Sequence, residues 1–497
     1  MGRYIFIRII KSLISIALVV AIVVVMVYKL VPTAKVFEKD EAYRKLKGNN
    51  KRVYEMGKLE ELGYLDYLSI GDMFLRESEH SSADFTPEDE EYQRVLQATE
   101  EKGYTVEMLD KGGDLSGSYI AYREFSGWEL IGNFFSRLVF IDNPNRVQDP
   151  NNPDMVRGYR WEKDHNGRIA LACEGCQYYY QIYFGEGFPW IHFQMIHLYF
   201  GESFPTQSGV HTLDVIGTGQ GKNLKREQTF PSGEVIKSPI NQYTRQYKPR
   251  IDHLDEKKYG DSHYAKTENY YESPSMITTS YIFGLYSLVL AYLFALPFGV
   301  NMARNKGMFI DKVGIVYINI LLALPSLALI FFMKYVGFAI GLPDKFPNLG
   351  FNDYRSYVLP IILLAMMSTP GIMMWIRRYM VDQETADYVK FAKAKGLSDK
   401  EIARRHVLKN AIIPIVNGIP ASIILAISGA VVTETMFAIP GMGKMLPDAI
   451  KGANNNMVIT LTFIFTALSV FSVFLGDLLM TLVDPRISLN VKEGTRE

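Results

Sequence analysis

Cys173 and Cys176 are the only cysteines among 497 residues, and their spacing suits either a local disulfide or half of a metal site. Structural zinc needs four ligands and this pair supplies two, so His165, His192 and His197 would complete a site only if the fold gathered them. No H-E-x-x-H pairing occurs, and His192 and His197 are spaced wrongly for one helical face. Gly217 to Lys222 reads GTGQGK, which fails the G-x-x-x-x-G-K-[ST] spacing of a phosphate loop, and Asn223 follows where Ser or Thr is needed. No catalytic group and no metal site is assigned from these residues. Three charged residues, Lys334, Glu434 and Asp477, stand within or beside long apolar runs, where charge is costly and often functional. The competing reading for each is a side chain that snorkels to the interface.

The elements that would position these residues follow from how the apolar residues are grouped. A segment of about 20 apolar residues crosses about 30 Å of hydrocarbon. Runs of that kind fall at Ile9 to Val31, Met276 to Val300, Val313 to Lys334, Tyr357 to Ile376, Ile412 to Thr433 and Met457 to Val483. These runs predict a polytopic α-helical membrane protein with about six transmembrane helices. The first is expected to be an uncleaved anchor, because its exit reads Lys29-Leu30-Val31-Pro32 with no small-x-small cleavage site. Lys and Arg are retained on the cytoplasmic side of short loops. Arg3, Arg8 and Lys11 precede the first span, Arg304, Lys306 and Lys312 follow the second, and Arg377 to Lys409 is the most basic loop of all. Both termini are therefore expected in the cytoplasm, and the chain is expected to be a multi-pass protein of the plasma membrane. Basic and acidic residues number 53 each, so net charge argues for no nucleic-acid partner.

Four parts result: 1–35, the N-terminus and first helix; 36–275, a large extracellular domain between helices 1 and 2; 276–484, the transmembrane domain with its loop 377–410; and 485–497, a cytoplasmic tail. The outer part contains Trp128, Trp161 and Trp190 and is expected to fold as an α+β domain. It is helix-prone to about Glu101, with Thr86 as a cap and Pro87 at the first helical position. Strand and turn chemistry follows, with turns at Gly112-Gly113, Asn143-Pro144-Asn145 and Asn151-Asn152-Pro153 and a strand in Tyr178 to Phe184. In the basic loop, Tyr388 to Lys395 reads as a short helix ended by Gly396, and Ser398 caps a second helix, Asp399 to His406. Ala392 and Ala394 permit close approach. Two short helices with a glycine bend make a knob suited to a groove in a cytosolic partner.

The stretch Asp387 to Pro414, DYVKFAKAKGLSDKEIARRHVLKNAIIP, resembles the loop of permeases of the oligopeptide and dipeptide ABC importers. Ala392 and Gly396 match its core, while Lys390 and Phe391 stand where the general pattern has Glu-Ala. Glu434 to Gly443 resembles the outward loop before the last span of these permeases, Asp477 to Ile487 the end of that span, Leu324-Pro325-Ser326 a break in the third, and Tyr199 to Ile216 a pre-membrane segment. The extra outer mass is similar to that of enlarged peptide permeases in low-GC Gram-positive bacteria. The resemblance implies a transport subunit, not an enzyme, that translocates oligopeptides by alternating access. It binds no cofactor itself; ATP and Mg are used by two partner ABC ATPases. It also implies a second homologous permease and an extracellular lipid-anchored peptide-binding protein. Tyr388, Ala392, Lys393, Ala394, Lys395, Gly396, Leu397 and Ser398 would then form the ATPase-coupling loop, and Glu434, Pro440, Gly441 and Gly443 the translocation path or outer gate. The alternatives are a permease of the same family for dipeptides or nickel chelates, and a membrane-anchored enzyme or sensor with a functional extracellular domain.

Overall fold

A computed structural model describes residues 2–483 except 79, 111–114, 151, 165–166, 185–189, 220, 270 and 428–430. The expected Gly112-Gly113 turn, Asn151, His165, the span ending Asp484 to Ile487 and the tail 485–497 lie outside the described residues.

The apolar N-terminal run is one helix, α1 (Gly2–Leu30). It leads into an α+β region whose two larger sheets have three and four strands. In the first, β1 (Leu65–Ser69), β2 (Thr105–Met108) and β3 (Tyr119–Glu124) pair antiparallel in the order β1-β3-β2, with Leu65 opposite Glu124 and Thr105 opposite Tyr122. Helices Ile70–Glu77 and Glu90–Glu101 cover it through Met73, Phe74, Tyr92, Val95 and Leu96. The second of these helices starts three residues later than Pro87 predicts. Both the amide and the hydroxyl of Thr86 donate to the Asp89 carboxylate, closing a turn that delays the helix.

Helix α2 (Gly127–Leu138) follows, opened by a reciprocal Ser126 and Glu129 capping box, and runs directly into β4 (Val139–Ile141). The second sheet is antiparallel, ordered β5 (Gly158–Lys163), β6 (Ile169–Glu174), β7 (Tyr180–Phe184) and β8 (Ile191–Phe193), and β4 pairs separately with β9 (Ile196–Leu198). Ala170, Ala172, Tyr180 and Tyr183 on its inner face pack with Tyr247 and Tyr264. Cys173 and Cys176, both buried, are joined in a disulfide at the end of β6. Closing so short a loop removes little unfolded-chain entropy, about 2 kcal/mol. Replacing both by Ser is therefore expected to lower the thermal stability of this lobe modestly and leave the amount of protein in the membrane unchanged. Loss of the inserted protein would show a larger role.

The apolar half comprises α3 (Met276–Arg304), α4 (Phe309–Ala323), α5 (Ser326–Ala339), α6 (Arg355–Glu384), the short helices α7 (Asp387–Ala394), α8 (Asp399–Ile402) and α9 (Leu408–Ala411), then α10 (Ile413–Ile427), α11 (Val431–Phe437), α12 (Met442–Lys451) and α13 (Asn455–Val483). Among the described residues, four helices are long and apolar enough to cross a membrane, or up to six spans if each of two bent pairs counts as one. The run Val313 to Lys334 is broken at Leu324-Pro325-Ser326, where the sequence places a break, and α4 and α5 meet there at 107°. Pro325 has no N–H to donate and holds Leu324 extended, at ψ 128°, so the helix stops there.

Three consecutive asparagines tie the α+β region to the apolar helices. At the start of α13, the Asn454 amide donates to Ser203 Oγ at 2.7 Å, and the Asn456 amide to the Glu202 carbonyl at 2.9 Å. The Tyr28 hydroxyl, on α1, lies 3.0 Å from Asn456 Oδ1. The segment Glu202 to Phe204 is thus held against the start of α13, which Asn456 also ties to α1.

Candidate functional site

A groove of about 530 Å³ lies between α3, α6 and α10. Its polar lining is made of hydroxyls, contributed by Ser280, Ser287 and Tyr292 on α3, Ser368 and Tyr379 on α6 and Ser422 on α10. Three of the serines give their proton to their own helix: Ser287 to the Gly284 carbonyl at 2.8 Å, Ser368 to that of Leu364 at 3.1 Å and Ser422 to that of Gly418 at 3.0 Å. Serines use such backbone bonds when buried in helices. Their oxygen lone pairs stay available, so this wall offers acceptors to a ligand rich in N–H groups. Trp375 and Tyr379, stacked at 5.5 Å, add an aromatic surface.

Glu434 also borders the groove but is 2% exposed and engaged by the protein itself. Ser280 Oγ donates to its Oε1 at 2.7 Å, and the Lys444 amide, in the first turn of α12, to its Oε2 at 2.9 Å. The Met442 amide donates in turn to Ser280 Oγ at 2.7 Å. A carboxylate at a helix N-terminus meets free N–H groups and a favourable dipole. A Cβ at Gly441 would lie 2.4 Å from Glu434 Cδ, so only glycine admits the carboxylate there. The geometry of Glu434, Gly441 and Gly443 is a clasp joining α3, α11 and α12. Neither Pro440 nor the two glycines lines the groove. Lys334 supports the same turn from α5, donating to the Met436 carbonyl at 2.9 Å at the end of α11. Asp477, on α13, pairs with Arg8 on α1. None of these three charges is left to snorkel.

Beyond the end of α6 the chain forms the expected knob. Val389 and Ala392 of α7 are buried with Ile376 and Met380 of α6 and with Ile402, Val407, Ala411 and Ile415. Tyr388 donates to Gln383 Oε1 at 2.8 Å, and Leu397 packs at the edge of this cluster. Gly396 has φ +79° and ends α7; Ser398 accepts the Glu401 amide at 3.3 Å and caps α8. The second helix ends sooner than His406, at Ile402, and continues as a π-turn over Ala403–Val407. Ala392 is buried against its own chain. A Cβ at Gly396 would meet nothing within 4 Å, so a side chain there acts through backbone strain and not by filling a packed contact. Exposed on the knob are Lys393, Ala394, Lys395 and Phe391. Phe391, at 70% exposure, was not singled out as a site residue; its signal was an aromatic residue amid lysines.

The remaining sequence candidates are structural. His192 and His197 stack on Tyr183 and Tyr178 at 4.8 and 4.3 Å, and burial pushes both imidazoles below their ordinary pKa. Among the described residues no group of three or more metal-ligating side chains occurs.

A hydroxyl-lined groove walled by apolar helices, with a knob packed on the same helices, defines a membrane permease. Residues 295–489 match the family described as binding-protein-dependent transport system inner membrane component. The chain is 42% identical over 504 residues to the oligopeptide transport system permease protein AmiC of Streptococcus pneumoniae serotype 4, a match that covers 99% of this chain and 100% of that one. It is 31% identical to the dipeptide transport system permease protein DppB of Bacillus subtilis over 43% of this chain and 68% of that one. It is 27% identical to the DppB of Lactococcus lactis over 41% and 67% respectively. The chain belongs to this family of ABC transporter permeases. It is a transport subunit of a multi-pass membrane system, and ATP hydrolysis is the work of separate subunits.

Proposed function

We propose that the chain carries oligopeptides inward across the plasma membrane as one of two homologous permeases. Six spans are counted by taking each bent pair as one, with both termini and the loop 377–410 cytoplasmic and 36–275 outside. The basic loops support that orientation. Two ATPases, using ATP and Mg, grip the knob through Phe391, Lys393, Ala394 and Lys395, and a lipid-anchored binding protein delivers peptide from outside. The observation that carries the reading is that knob and groove share helices. Ile376 and Met380 of α6 pack on the knob, while Trp375 and Tyr379 of the same turns line the groove; Ile415 belongs to both. A change in the knob's position therefore moves groove-lining residues directly. ATP-bound ATPases drive transport only by preferring one of two permease conformations. The groove's acceptor-rich, aromatic wall suits the N–H groups and varied side chains of a peptide.

Uptake of labelled peptides by cells with and without this chain tests the substrate; equal uptake overturns it. Orientation is tested separately in intact cells with an impermeant thiol reagent. Ser232→Cys is expected to react and Ser398→Cys to stay unlabelled, and the reverse would invert the membrane topology and exclude import by this scheme.

A further inference from the structure

The outer region does not simply sit above the spans, because one of its helices packs deep along them. Leu130 of α2 is buried against Val20 and Val24 of α1 and Ile459 of α13. Gly127 lies beside Val25, with 3.8 Å between its Cβ position and the valine methyls. Where β9 ends, Phe200 meets Phe463 of α13 at a centroid distance of 4.8 Å. The Arg8 and Asp477 ion pair marks the inner ends of α1 and α13. Counting about 30 Å of hydrocarbon upward at about 1.5 Å per residue reaches about Tyr28. Val24 and Val20 then lie about 6 to 12 Å below the outer boundary, the depth at which interfacial helices settle.

The ribbon that adjoins α2 turns an apolar face away from the protein, and α2 adds one large exposed apolar side chain. Trp128 on α2 is 84% exposed. In the two-stranded ribbon, Val139 is opposite Leu198 and Ile141 opposite Ile196, four side chains on one face with exposures between 38% and 66%. The alternate pair, Phe140 and His197, faces the other way, with its rings 5.7 Å apart and His197 stacked on Tyr178. Exposed Arg137 and Arg146 stand beside the ribbon in sequence, and the Arg146 guanidinium lies 4.2 Å from the Phe140 ring. In water this face would be a sizeable apolar patch. At lipid depth it needs no protein partner.

We propose that α2 and the β4 and β9 ribbon form a shelf seated in the outer leaflet, with phospholipid as the occupant of this face. The proposal rests on region 36–275 being external. Continuity supports lipid over a protein partner: α2's other face is already packed on α1 at residues within the span, and α1 itself exposes Leu13, Ile14, Leu18 and Ile22. The shelf would fix the height of the outer domain over the groove.

The test uses the full chain in its purified complex, reconstituted in vesicles of phosphatidylglycerol and phosphatidylcholine. One variant keeps only Trp128 (Trp161→Phe, Trp190→Phe, Trp375→Phe); a second adds Trp128→Phe and Ile196→Trp, which probes the ribbon without relying on the first. Replacing the phosphatidylcholine by a form brominated near the headgroup is expected to cut the emission of each about twofold, as for interfacial side chains. Unchanged emission, with ready quenching by acrylamide from water, would overturn the shelf, as would protection from acrylamide gained only on adding the binding protein. Bromolipid quenching does not depend on orientation. Quenching with Ser232→Cys unlabelled in cells would place the shelf in the inner leaflet and overturn the proposal through its premise, whereas labelling without quenching would overturn the shelf alone.

Discussion

Phe391→Ala is expected to leave the permease folded and inserted while weakening ATPase binding about 30-fold, or about 2 kcal/mol. An aromatic side chain 70% exposed on the knob contributes little to its own chain and is the kind of anchor that dominates an interface. Peptide-stimulated ATP hydrolysis in liposomes should fall in parallel, with the thermal midpoint of the isolated permease unchanged. Ala392→Asp supplies the contrast. It puts a charge among Ile376, Met380 and Val407, so its loss of coupling should come with proteolytic opening of the knob itself. Wild-type affinity in Phe391→Ala would show that the contact lies elsewhere on the loop.

Asp311→Ala is expected to be among the most destabilising single changes in the membrane half. Asp311 is 1% exposed and accepts from Arg377 through Nε at 2.6 Å and Nη2 at 2.8 Å, and from the Gly307 amide at 2.8 Å. The pair joins the start of α4 to the end of α6. Removing one member of such a pair costs about 3 to 5 kcal/mol, because the remaining charge loses its partner while still partly buried. A lower unfolding midpoint in detergent, or loss of the protein from membranes, should follow. Asp311→Leu combined with Arg377→Met should recover much of that loss, since the cost lies in the unpaired charge more than in the missing attraction. If single and double variants were equally unstable, shape at this junction would be responsible instead.

These two cases also separate what can be read along the chain from what cannot. The long apolar helices, the α+β character of the region before them and the knob were legible because they depend on local grouping. Apolar runs of membrane length, a glycine able to take positive φ at position 396 and a serine cap at position 398 all act within a few residues of themselves. The family was legible for the same reason, its motifs being short contiguous stretches.

Partners far apart in sequence were not legible. Arg377 counted as one more positive loop residue until Asp311, 66 positions away, was seen beside it. Glu434 stood out in the sequence as a charge near a span; the packing of Ser280, 154 positions distant, and of the α12 N-terminus against it showed its internal partners. The break at Pro325 was visible, but not its angle, which neighbouring helices set. The groove and the shelf are likewise products of assembly. Ser287, Ser368 and Ser422 are unremarkable singly and become one acceptor-lined wall only where α3, α6 and α10 converge, and Val139, Ile141, Ile196 and Leu198 share a face only through antiparallel register. Local chemistry determined which segments form long apolar helices and which bend; side-chain packing between those segments decided which polar groups are paired internally and which stay open in the groove.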